Sequence, residues 1–284
     1  MRSAGAVGAV GVAIAAVLLG GWWLFVRDGD APDLGVCRAI DPEILELDVL
    51  AEHPHDPDAY TQGLLFAGGR MWESTGLRGE SDLRMVDVGT GEVLVEVPLA
   101  PELFGEGLAE SPSGELVQLT WTSGTALRWD IAADEPERIG TFSYEGEGWG
   151  LTTLDSDEFV MSDGSDVLEV RSPEDFSVTS SFIVERPGGG ADRLNELEWD
   201  GEALWANRYR SDEILRIDMD CGVVDGVVDA SALTERAEEL SLAAGIERDF
   251  ERDDVLNGIA VDGARMFITG KRWPVMFEAT IPGH

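Results

Sequence analysis

Lysine occurs once in the 284 residues, at Lys271 in the run Thr-Gly-Lys-Arg-Trp-Pro; the other basic residues are all arginine. A position that keeps an ammonium in such a chain calls for a compact charge on a slim stem, with three donors free to swivel. Carboxamides are almost as scarce: Gln62, Gln118, Asn195, Asn207 and Asn257 complete the set. Glu106 stands between two glycines in Phe-Gly-Glu-Gly-Leu. A carboxyl walled by aromatic rings is desolvated, its pKa rises, and it can take and give a proton near neutrality. Ammonium and amide donors aimed at a carbonyl oxygen stabilise developing negative charge. Together these are parts for acyl transfer without a protein nucleophile. Triads are excluded: the histidines are His53, His55 and His284, and G-x-S-x-G is absent. His53 and His55 flank a proline and are expected to be structural.

The scarce residues fall at matching places in an internal repeat. YTQGLLF at 60, FGEGLAE at 104, GWGLTTL at 148, LNELEWD at 194 and LNGIAVD at 256 share one register, headed by Gln62, Glu106, Trp149, Asn195 and Asn257. Their spacings are 44, 43, 46 and 62. A period near 40 to 50, built of short strands and turns, predicts a β-propeller with one four-stranded blade per copy, here five. Residues 229–251 look helical and inserted, which explains the long spacing. ELDVLAEH at 46–53 has no blade of its own and is expected to close the ring as the outer strand of the last blade. The fold class is therefore all-β: a five-bladed propeller with an N-terminal transmembrane or signal helix and one helical insertion.

In such a blade the start of the first strand and the end of the antiparallel second strand share a rim. Fourteen residues beyond the register come Gly76, Thr120, Asp163, Tyr209 and Lys271. Gln62, Glu106, Trp149, Asn195, Asn257 and Lys271 are therefore expected around one mouth, with Tyr60, Phe104, Trp121 and Tyr209 as aromatic neighbours. Blander roles compete at several positions. Trp149 could plug the channel, Asn195 and Asn257 could cap strand starts, and Glu147, Asp163 and Glu196 could serve as the acid or merely hold donors. Glu106 is the hardest to dismiss, since flanking glycines allow close approach.

Asp and Glu outnumber Lys and Arg by 56 to 20, for a net charge of −36. That excludes nucleic acid as a partner, which needs the opposite sign, and suits a solubilising surface. Residues 4–26 form an uncharged, mostly apolar run long enough to span a bilayer. Residues 1–27 are read as an uncleaved signal anchor, with a cleaved signal peptide as the alternative, 28–45 as a linker, and 46–284 as the catalytic propeller. The body is expected outside the cytoplasm, membrane-anchored and monomeric. Cys37 and Cys221, the only thiols, form either a disulfide or two lone buried thiols. No zinc spacing or calcium loop is recognisable, so no metal or cofactor is expected.

The motifs YTQGL, ESTGLRGESDLR, FGEGL, QLTW, EGWGLT, MSDGS, LNELE, NGIA and TGKRWP resemble, in order from about residue 50 to 280, the plant and bacterial type of glutaminyl-peptide cyclotransferase. That resemblance implies a five-bladed propeller and conversion of an N-terminal glutamine of a peptide or protein into pyroglutamate, with loss of ammonia and no zinc. It implies Glu106 as acid/base, Gln62, Asn195 and Lys271 as polar site residues, and Phe104, Trp121 and Trp149 as the aromatic wall. Tyr60 stands where Phe is usual and Tyr209 where Trp is expected. On this reading the substrate's own amine attacks, Lys271 and Asn195 polarise the side-chain carbonyl, and Gln62 orients the substrate. Two rivals remain at this stage: an anchored, non-enzymatic propeller that binds peptides or protein termini, and a metal-dependent propeller hydrolase.

Overall fold

The computed structural model describes residues 41–133, 135–250 and 252–282. The apolar run at 4–26, Cys37 and His284 lie outside the described residues. Five antiparallel meanders follow one another along the chain, in a propeller-like arrangement. The first sheet comprises Thr61–Ala67, Arg70–Thr75, Asp82–Val86 and Val93–Pro98; the second comprises Gly105–Glu110, Glu115–Thr120, Thr125–Asp130 and Glu137–Ser143. The third comprises Leu151–Thr153, Phe159–Ser162, Val167–Arg171 and Val178–Ile183. The fourth is built on Leu194–Trp199, Leu204–Arg208, Glu213–Asp218 and Val223–Asp229 and grows to seven strands with Glu43–Leu45, Glu185–Arg186 and Gly189–Gly190. The fifth comprises Leu256–Asp262, Arg265–Gly270 and Val275–Thr280.

Val49–Pro54 pairs antiparallel with Val275–Thr280 and completes the fifth sheet with a strand from the other end of the chain. The expected closing segment therefore does what its lack of a sheet of its own required. Residues 43–45, expected in the linker, instead pair in parallel with Val223–Asp229. Their Leu45 is buried among Trp205, Ile214 and Val228, so burial recruits a segment too short to show a strand period. The inserted helix is α1 (Ser231–Ala243), which buries Leu233 and Ala237 in the same core and covers less than the whole 229–251 segment.

An apolar core lies between each pair of neighbouring sheets. Trp72 and Leu83 meet Leu116 and Trp129 between the first and second, and Leu119 meets Phe159 between the second and third. Val160 and Leu168 meet Leu204 and Ile217, and Trp205 meets Ile259 and Phe277. Leu64 and Met71 meet Phe267 and Met276 between the first sheet and the fifth, which closes the cycle. The first strands accordingly neighbour one another in cyclic order around the axis. Glycine at the position after the register permits this approach. A Cβ on Gly63 would come 2.7 Å from Leu108 N, and one on Gly107 would come 2.5 Å from Leu151 N. The fourth copy has Glu196 there instead. Its two carboxylate oxygens accept from Leu64 N (3.3 Å) and Ile259 N (2.9 Å), tying the fourth sheet to the first and fifth.

Candidate active site

A β-bulge interrupts the first strand at the register position in four sheets. The pairing shifts between Thr61 and Gly63, Gly105 and Leu108, Leu194 and Leu197, and Leu256 and Ile259. A bulge bends the strand and re-aims a side chain. Here it turns Gln62, Glu106 and Asn195 into a pocket of about 200 Å³ that is also lined by Tyr60, Phe104, Trp121, Trp149, Tyr209 and Lys271. Lys271 follows directly on the second strand of the fifth sheet, one residue past Gly270, as the rim argument required. The volume lies below the roughly 300–1,000 Å³ of sites for drug-sized ligands. It suits one folded side chain.

Nine of the ten candidate residues meet at this pocket. Asn257 does not: it is fully buried behind Gln62, donating through Nδ2 to Thr61 O (3.0 Å) and Gln62 Oε1 (3.4 Å). Asn257, expected to bind substrate, does not line the pocket, because the bulge at 256–259 points its amide nitrogen at the neighbouring strand. Gln62, held from behind, faces the Glu106 carboxyl and favours its ionised form. The competing acids are also placed. Asp163 caps an exposed turn at Ser165 N (2.9 Å), Glu196 is the clasp described above, and Glu147 binds two indoles at the rim.

The aromatic side chains form a collar. Tyr60 meets Phe104 edge-on at 6.1 Å between centroids, Phe104 meets Trp121 at 5.7 Å, and Trp149 meets Tyr209 at 5.5 Å. The Lys271 Nζ lies 4.9 Å from the centroids of both Tyr60 and Tyr209, bridging one gap in the collar. Opposite, Glu147 Oε2 accepts from Trp121 Nε1 (2.7 Å) and Trp149 Nε1 (2.9 Å). Cation–π contacts of this desolvated kind contribute about 2 kcal/mol each, which holds the amine in place without a hydrogen-bonded carboxylate.

Electrostatics pull both ionisable groups towards neutrality. Burial pushes Glu106 well above the ordinary carboxylate range; the Lys271 ammonium pulls it back, Glu147 pushes it further up, and the Gln62 donor favours the ion. Burial brings Lys271 down to about 8 against the attraction of Glu106 and Asp253, with Arg210 adding to the fall. Tyr60 is pushed up by burial and stays a neutral phenol. Asn195 Oδ1 is buried without a hydrogen-bond partner. Such an atom costs about 1–3 kcal/mol unless something satisfies it; Asn257 Oδ1, behind the pocket, is unpartnered in the same way, but Asn195 is the one that lines the pocket. The described residues contain no group of three or more His, Cys, Asp or Glu side chains placed to hold a metal ion.

A propeller-like scaffold with a buried acid and a buried amine in one aromatic-walled mouth defines a class of acyl-transfer sites, and the comparisons fall within it. Residues 31–281 match the family described as glutamine cyclotransferase. The chain is 39% identical over 241 residues to the glutaminyl-peptide cyclotransferase of Arabidopsis thaliana, covering 83% of this chain and 71% of that protein. The crystal structure of Myxococcus xanthus glutaminyl cyclase superposes with a TM-score of 0.76 at 36% identity, covering 85% of this chain and 99% of that one. The chain belongs to the glutamine cyclotransferase family.

Proposed function

We propose that this protein is a glutaminyl-peptide cyclotransferase that converts the N-terminal glutamine of peptides or proteins into pyroglutamate and releases ammonia. The observation that carries the reading is the meeting of Glu106 and Lys271 in one pocket sized for a single folded side chain. The substrate's α-amine nitrogen attacks its own side-chain carboxamide carbon, closing a five-membered lactam. The new C–N bond forms as the bond to the amide nitrogen breaks, and Glu106 carries the amine's proton to the departing NH3. A free α-amine titrates at about 7.7–8.0; a carboxyl raised well above its ordinary range exchanges protons with it at less cost than an ordinary one. Lys271 and Asn195 polarise the carbonyl oxygen, and Gln62 orients the substrate. The collar holds the compact conformer, so proximity supplies much of the acceleration.

The fold reading extends to five blades, the seven-stranded sheet being the fourth blade with additions; the closed cycle of apolar cores supports it. Metal-independent catalysis follows from a carbonyl already served by ammonium and amide donors. We further propose a monomer anchored by residues 4–26 with its body outside the cytoplasm. Cys221 is disulfide-bonded, which suits an oxidising compartment. No helix among the described residues is long and apolar enough to cross a membrane, and the 4–26 run lies outside them.

Incubation with a Gln-initiated dipeptide, following ammonia and pyroglutamate with and without EDTA, tests the function. Equal release in both arms is expected. Binding without release would favour the non-enzymatic propeller, and loss of release with EDTA would favour a metal-dependent one.

A further inference from the structure

We propose that Glu147 is a positioning residue: one of its carboxylate oxygens clamps Trp121 to Trp149 and closes the collar against which the substrate's glutamine folds. The proposal rests on the cyclotransferase reading of the pocket. Trp121 follows the second strand of the second sheet, whereas Trp149 precedes the third sheet, so the two walls belong to different elements. Ring-to-ring contacts run from Tyr60 through Phe104 to Trp121, and separately from Trp149 to Tyr209. Glu147 Oε2 joins the two arcs by accepting from both indole N–H groups, at 2.7 and 2.9 Å. The loop that presents it is fixed in turn: Gly148 N donates to Trp121 O at 2.9 Å, and a Cβ on Gly148 would come 2.6 Å from the Tyr144 hydroxyl. Glu147 itself is exposed, so its replacement leaves the cores between sheets intact.

Clamp and charge are separable here because a single oxygen takes both hydrogen bonds. A glutamine at this position presents one amide oxygen to both indoles and removes the negative charge; an alanine removes both functions. The groups facing Glu106 are Gln62 and Tyr60 near the first sheet, Tyr144 beside the second, Glu147 on the rim loop and Lys271 from the fifth sheet. Glu147 acts on Glu106 in the direction that disfavours its ionised form. Removing that charge lets Glu106 stay ionised to lower pH.

The test compares wild type, Glu147→Gln and Glu147→Ala with a Gln-initiated dipeptide, reading kcat, KM and the pH profile, together with acrylamide quenching of tryptophan fluorescence. Glu147→Ala is expected to raise KM about tenfold, on the scale of hydrogen bonds to a charged group, and to increase quenching. Glu147→Gln is expected to keep KM within about twofold and wild-type quenching, while the acid limb of kcat/KM moves to lower pH. Unchanged KM and quenching in Glu147→Ala would overturn the proposal, as would equal KM increases in both variants. Wild-type protein that releases no ammonia would overturn the cyclotransferase reading instead, and the quenching arm would still decide the clamp.

Discussion

At the scale of single residues, the site works by opposing burial to attraction. Glu106 is raised and Lys271 lowered by the same desolvation, and each partly restores the other's charge. On the proposed mechanism the base must be ionised and the amine protonated, so kcat/KM should describe a bell. Its acid limb should lie above the ordinary carboxylate range, and its alkaline limb near the value of about 8 for Lys271. A profile flat from pH 5 to 9 would contradict these roles. Lys271→Arg keeps the charge but forces a wide, planar group between two rings 4.9 Å from the present nitrogen. A loss of about 10²-fold in kcat is expected, the scale of removing one donor to a developing oxyanion; steady-state kinetics with the dipeptide would measure it. Type and spacing made most of this legible, because scarcity marked Lys271 and the amides while flanking glycines marked Glu106. That Asn257 sits behind the pocket wall was not legible, because a strand register cannot reveal which side of a bulge a side chain takes.

At the scale of elements, bulges aim the side chains and a buried pair holds the turn that carries Lys271. His55 contacts Glu73 Oε1 (3.0 Å) through Nε2 and Trp273 O (2.7 Å) through Nδ1, the latter two residues beyond Lys271. Burial, the largest influence on each, would lower His55 and raise Glu73, but it is outweighed by their mutual attraction together with Trp273 O and Asp56 at His55 and with Arg84 and Thr61 at Glu73. Glu73 therefore adds stability above its ordinary 4.5 that is lost as pH falls through its lower folded value. His55 adds stability below its ordinary 6.5 that is lost as pH rises through its higher folded value. The pair contributes most between those two ordinary values. Glu73→Gln leaves a buried imidazolium uncompensated and should cost about 3–5 kcal/mol in urea unfolding. A change below 1 kcal/mol would show that the pair is not what holds the turn. The histidines were legible as structural from their place beside a proline, but the partner of His55 was not, because pairing across sheets leaves no local pattern. Glu43–Leu45 was missed for a related reason: three residues are too few for a period to appear.

At the scale of the molecule, the repeat made the number of sheets and the shared rim readable, since glycine after the register reports close packing around an axis. The additions to the fourth sheet break the repeat and were invisible to it. The net charge of −36 imposes self-repulsion that salt screens, with a Debye length of about 30 Å at 0.01 M and about 3 Å at 1 M. Melting temperature should therefore rise across that range of sodium chloride; a fall would mean that ion pairs such as Arg84–Asp82 outweigh the repulsion. The central claim is that the ring makes one catalytic unit of two groups from different sheets. A double-mutant cycle of Glu106→Gln and Lys271→Met, read as ammonia release from a Gln-initiated dipeptide, tests it most directly. Each single change should cost about 10²–10⁴-fold in kcat/KM, and the double should be no worse than the poorer single. Substantial turnover by Glu106→Gln, or losses that simply multiply in the double variant, would contradict the account.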